Sequence, residues 1–253
     1  MKGGYMMATV KKLVIPKQHG AWAMLVIPFL LGAYIGGFSW IHIPLFIGWL
    51  CLYLATYPLL MAMKNKRKPF YIKWFALYFA AAAVILLFPL IYRWEIIYFG
   101  MAMTPFFLIN IYYGKKKKDR AFFNDLAAIA VFCIGGLASS FIVSGEITKE
   151  AFITIMLCFL FFVGSTFYVK TMIREKNNPN YKWLSWGFHV FLMIGLVATE
   201  YAVFIIAYIP SVIRAVYFYG KKMPILKIGL IEVGNAVYFC FAMFMIINLF
   251  MLP

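Results

Sequence analysis

With 253 residues, 65% of them hydrophobic and 20% aromatic, and a mean hydropathy of +0.89, the chain has too little polar surface to cover a water-soluble globule. Short alternating runs of the outer-membrane barrel kind do not occur, which points to an all-helical integral membrane protein. The net charge of +16 would suggest nucleic acid in a soluble protein, but here a positive-inside bias accounts for it and no nucleic-acid partner is expected.

Residues 1–19 form a basic arm, and residues 20–253 read as one polytopic transmembrane domain. The first apolar run is long, holds Pro28 and has no small-residue cleavage pattern, so a cleavable signal peptide is not expected. Apolar runs and their breakers predict nine spans, at 20–37, 41–63, 73–92, 95–113, 124–143, 150–173, 182–199, 200–219 and 228–252. Of the 24 lysines and arginines, all but Arg93 and Lys149 fall in the arm or around the gaps after spans two, four, six and eight. That bias predicts a cytoplasmic N-terminus and an outside C-terminus. It also splits 182–219 into two helices, because one long helix would carry Lys221, Lys222 and Lys227 outward.

Span one opens on Pro16-Lys17-Gln18-His19-Gly20-Ala21-Trp22. Lys17 and Gln18 can cap free backbone amides there, or His19 can transfer a proton or contact an anion, since imidazole titrates near neutrality. Gly32 and Gly36 on span one, and Gly135, Gly136, Ser139 and Ser140 on span five, are small-residue steps that suit close helix packing within one bundle. Asn110 and Tyr113 end span four; Asn124 and Asp125 start span five, where capping suits one of the two. On span six, Tyr168, Thr171, Met172 and Glu175 share a face beside Lys170 and Arg174, as a solvated charged end or a substrate-contacting rim.

His189 lies roughly 10 Å into span seven, as a hydrogen-bonded core histidine or a catalytic one. Glu232 and Asn235 share a face on span nine, with Lys227 or Arg214 as the neutralising cation. Such groups each cost about 2.5–3.5 kcal/mol inside a bilayer, so each needs a partner, an aqueous cavity or a function. Trp40, Trp74, Trp94 and Trp183 suit the interfacial belt. Cys51, Cys133, Cys158 and Cys240 stand apart without metal or redox spacing and read as packing residues. No phosphate-binding glycine loop, zinc set or nucleophile elbow occurs.

The segments Lys17-Gln18-His19-Gly20-Ala21-Trp22 and Phe167-Tyr168-Val169-Lys170-Thr171-Met172-Ile173-Arg174-Glu175 resemble the YwiC-like membrane family. More broadly, nine spans with charged loops after spans two and six, together with Ile111-Tyr112-Tyr113-Gly114, Phe123-Asn124-Asp125-Leu126 and Met172-Ile173-Arg174-Glu175, resemble the UbiA superfamily of intramembrane prenyltransferases. This likeness implies a nine-helix bundle around a cavity open to the cytoplasm, in a prokaryotic cytoplasmic membrane. It also implies prenyl-type transfer on an isoprenoid or quinone-like lipid, with membrane lipids and an isoprenoid diphosphate as partners.

Enzymes of that superfamily hold diphosphate through Mg²⁺ on two Asp-rich motifs. Here the loop after span two reads Met63-Lys64-Asn65-Lys66-Arg67-Lys68 without a carboxylate, and only Glu175, joined by Asp125, is left as a weak candidate for metal or proton. The resemblance places His19 and Tyr168 beside the acceptor, with Gln18, Trp22, Asn110, Tyr113, Asn124 and His189 as further lining. A diphosphate can instead be gripped directly by Lys64, Lys66, Arg67, Lys117, Arg120 and Arg174, with Lys170 as a further substrate contact, or those loops serve only topology and attraction to anionic lipid. A non-catalytic binder or carrier of lipid, quinone or a small anion is the alternative expectation.

Overall fold

A computed structural model describes residues 14–16, 19–64 and 67–251, apart from the side chain of His19. The candidates Gln18 and Lys66, the His19 imidazole and most of the basic arm therefore lie outside the described residues. Among the described residues there are nine α-helices and no strand. They are α1 (His19–Ile35), α2 (His42–Lys64), α3 (Lys68–Tyr92), α4 (Ile97–Lys115), α5 (Phe122–Ser144), α6 (Lys149–Ile173), α7 (Pro179–Val197), α8 (Ile205–Tyr217) and α9 (Ile225–Phe250).

Each predicted span has its helix, with shifted ends. The third starts five residues early because Pro69 sits in its first turn, where a missing N–H costs no intrahelical bond. The break predicted near Thr199 is present as a turn followed by a short 3₁₀ segment, Ala202–Phe204. By length and composition α2, α3, α5, α6, α9 and the Trp94–Lys115 segment can each cross a bilayer, so six helices qualify. The apolar segments Gly20–Ile35 and Ala202–Tyr217 are shorter.

The centre is built by α1, α5 and α6: α1 packs on α5, α6 and α9, and α5 on α4 and α6. The most apolar window of α6 is 61% buried, whereas that of the Trp94–Lys115 segment is not buried at all, which marks the latter as peripheral. Exposed side chains such as Phe79, Leu87, Met101, Leu108, Phe191 and Phe241 then face lipid, the only medium in which so much apolar surface is stable. In the tightest contact the two small-residue faces meet. A methyl group on Gly32 would run into the Gly136 carbonyl, one on Gly36 into Ser140, and one on Gly136 would lie 2.7 Å from the Pro28 oxygen. The Ser139 hydroxyl donates to Phe29 O across the same seam at 2.9 Å.

His42 is buried, with Nε2 2.8 Å from Ser139 O and Nδ1 3.0 Å from Ser39 O. All four cysteines are free, Cys133 and Cys158 buried and Cys51 and Cys240 partly so.

Contacts between loops separate two ends of the bundle. At one end, Lys64 pairs with Asp119, Lys170 donates to Arg120 O at 2.6 Å, and Trp186 donates to Ala215 O at 3.0 Å. At the other, Arg93 donates to Val143 O at 3.5 Å, Lys149 pairs with Glu200 at 2.9 Å and Tyr34 donates to Asn248 at 3.1 Å. Arg93 and Lys149, the two cations set apart by the sequence, stand together at this second end.

Candidate functional site

At the basic end, Lys118 N bonds to Tyr113 O at 2.9 Å and Lys117 takes a left-handed backbone (φ 55°), so the chain folds back before α5 begins. Asn124 ties this turn down: its amide donates to Asp119 O at 2.7 Å and its Oδ1 accepts from Asn110 at 3.0 Å. Neither Asn124 nor Asp125 caps α5, contrary to expectation. The helix starts at Phe122 with Ala121 at the cap, which puts both side chains inside the first turn. Asp125 instead pairs with Lys170 at 3.0 Å, and Lys170 is buried at 7% exposure.

These pairs leave a pocket of about 480 Å³ lined by Lys117, Lys118, Asp119, Arg120, Ala121 and Arg174. Its one carboxylate, Asp119, is taken by Lys64, and none of its four cations forms an ion pair among the described residues. Like charges held this close repel, and an anion relieves that repulsion. Divalent metal does not suit this rim. Asp125 is committed to Lys170, Glu175 accepts from Asn178 Nδ2 at 3.0 Å, and among the described residues no three His, Cys, Asp or Glu side chains gather as ligands.

Deeper in the bundle, each of four helices contributes polar side chains at helical spacing to one buried cluster: Ser165 and Tyr168 of α6, Ser185 and His189 of α7, Ser211 and Arg214 of α8, Glu232 and Asn235 of α9. Arg214 is its hub. It pairs with Glu232, donates to Ser165 Oγ at 2.9 Å and lies 4.6 Å over the Tyr168 ring. Ser211 and Asn235 bond each other at 3.1 Å. The Tyr168 hydroxyl, Ser185 Oγ, His189 Nε2 and Arg214 Nε are buried without a partner among the described residues.

On the lipid side of α6 and α7 runs an apolar groove of about 730 Å³, lined along its length by Leu160, Phe167, Trp183, Phe188, Phe191 and Gly195. Leu160, Phe167 and Arg174 recur every seven residues, so one stripe of the helix ending at Ile173 leads from groove to basic pocket. Phe167 also contacts Phe122 at 4.8 Å, next to Ala121 of the pocket.

The candidates from sequence thus divide. Lys64, Asn110, Asn124, Asp125, Lys170 and Arg174 meet at the rim, with Tyr113 holding its turn through the backbone. Tyr168 and His189 belong to the buried cluster. Trp22 packs edge-on to Tyr53 at 5.4 Å, and Arg67 is exposed at the start of α3. Of the two cations open as partner for Glu232, Arg214 takes it and Lys227 is exposed. Sequence reading missed Ser165 and Ser185 because serine is common on apolar helices. Their spacing of three or four from Tyr168 and His189 was the available signal.

These features define a multi-pass, all-helical membrane protein with a basic rim above a buried polar cluster. Residues 15–140 match the family described as YwiC-like protein. The chain is 42% identical over 239 residues to the uncharacterized protein YwiC of Bacillus subtilis (strain 168), covering 94% of this chain and 99% of that protein. It is 40% identical over 229 residues to an uncharacterized protein of Haemophilus influenzae (strain ATCC 51907 / DSM 11121 / KW20 / Rd), covering 90% and 96% respectively. The chain belongs to the YwiC-like family. No solved structure matches it.

Proposed function

We propose that this protein holds the phosphate or diphosphate head of an isoprenoid-type lipid directly on its basic rim, as a diverged UbiA-like membrane protein that does without a metal cage. The observation that carries this reading is the pocket of Lys117, Lys118, Arg120 and Arg174, whose cations have no carboxylate of their own while the neighbouring Lys64 and Lys170 do. The groove along the same stripe of α6 gives an apolar tail a place to lie. The rim faces the cytoplasm on this reading, since it gathers the lysines and arginines.

Prenyl transfer is the catalytic form of the same reading. It is favoured by one observation: two carboxylates stand beside the rim, Asp125 on Lys170, which also bonds Arg120 O, and Glu175 next to Arg174 in the chain. The cations would then stabilise the oxygens of the departing diphosphate as the allylic carbon–oxygen bond breaks.

The test is equilibrium binding of pyrophosphate and farnesyl diphosphate to the purified protein in phosphatidylcholine nanodiscs, with and without chelator. Binding should survive chelation, weaken with salt, and fall about tenfold or more in Arg174→Gln, the loss of one charged hydrogen bond. Binding that requires Mg²⁺, or none at all, overturns the proposal. Pyrophosphate release from farnesyl diphosphate beside a quinone or lipid acceptor, lost in Glu175→Gln, identifies the transferase; binding without release identifies the carrier.

A further inference from the structure

The buried cluster and the apolar groove are neighbours, and the contact between them runs through Gly164. A methyl group on Gly164 would lie 3.2 Å from His189 Nε2 and 3.2 Å from Cε1 of Phe188, a wall of the groove. One aromatic ring and one absent side chain therefore separate lipid-accessible space from a buried imidazole nitrogen. The chemistry of that nitrogen follows from its ring partner. His189 Nδ1 is 2.7 Å from the Ser185 carbonyl, which can only accept, so Nδ1 carries the proton and Nε2 presents a lone pair. Nε2 has no donor among the described residues.

The charge at the site is balanced. Tyr168 faces the cluster from α6, Arg214 from α8 and Glu232 from α9, and the last two neutralise each other. A ligand seated here gains nothing from carrying charge and gains a hydrogen bond from a hydroxyl. That hydroxyl donates to His189 Nε2, and its oxygen stays free to accept a hydrogen bond in turn. Its apolar remainder suits the groove, whose Gly187 and Gly195 open onto free space.

We infer that the polar cluster is a second headgroup site, opening on the same groove that serves the rim-bound lipid's tail, for an uncharged lipid alcohol whose hydroxyl bonds His189. Phe188, which lines the groove and packs beside Gly164 and His189, is the side chain that must turn aside to admit it.

Three histidines in the chain make the site readable by ¹⁵N-histidine NMR in phosphatidylcholine nanodiscs, with assignment from single His→Gln variants. 1-Hexadecanol or farnesol should shift the His189 Nε2 resonance in the direction of an accepted hydrogen bond, while hexadecane leaves it in place. His42, both of whose ring nitrogens contact backbone, should not move with any of the three. Gly164→Ala should weaken or abolish the His189 response; if that variant does not fold, the alcohol-against-alkane comparison on the native chain decides alone. A His189 resonance that is unchanged by both alcohols, or moved equally by hexadecane, overturns the inference and leaves ordered water or packing as the explanation. The rim is read separately, through pyrophosphate binding, so either site can fail without the other.

Discussion

Arg214 and Glu232 show how a charged pair persists in an apolar bundle. Each alone would cost several kcal/mol to desolvate; together, with Ser165 accepting from the guanidinium and the Tyr168 ring beneath it, most of that cost is offset. Removing one partner strands the other. Glu232→Gln should therefore destabilise the protein by about 3–5 kcal/mol, and the double variant Arg214→Met with Glu232→Leu should recover most of the loss. Thermal unfolding in detergent measures both, and a double variant no more stable than the single one would show that the pair does more than satisfy itself. Sequence alone narrowed the partner of Glu232 to Arg214 or Lys227. Choosing between them required knowing that α8 turns Arg214 inward, while Lys227 remains exposed.

At the scale of the element, the closest approach is between α1 and α5, where glycine and serine allow backbone to lie against backbone. Lipid supplies no hydrophobic drive between helices, so this seam is held by packing and by the Ser139 to Phe29 hydrogen bond. Gly32→Leu pushes a side chain into the Gly136 carbonyl and should cost at least the about 1–3 kcal/mol of an overpacked core. Gly100→Leu, at a position with nothing within 4 Å, should be neutral, and equal unfolding midpoints for the two would contradict the seam. The small-residue steps were legible as a four-residue rhythm on two separate helices. That they face each other was not, because spacing identifies a face but not its neighbour. The same limit applies at the start of α5, where one of Asn124 and Asp125 reads as a cap, whereas the helix begins at Phe122 and turns Asp125 toward Lys170.

At the scale of the whole molecule, charge and contact geometry agree on two ends, one gathering the basic loops and the other holding Arg93 and Lys149. On the positive-inside reading proposed above, the basic end is the cytoplasmic one. A reporter joined after Pro253 should accordingly read as outside, and reporters in the Lys115–Arg120 loop as inside; a cytoplasmic signal after Pro253 would remove one crossing from the count of nine. The all-helical class and the series of apolar segments follow from hydropathy, and the clustering of the basic residues from charge, both of which act along the chain and so can be read along it. Which cations keep a carboxylate and which form an unpaired pocket, and which four helices bring their polar side chains to one buried point beside a lipid groove, depend on how helices distant in sequence rotate against each other. Only the tertiary structure decides that, because a helix face acquires its chemistry from what packs against it.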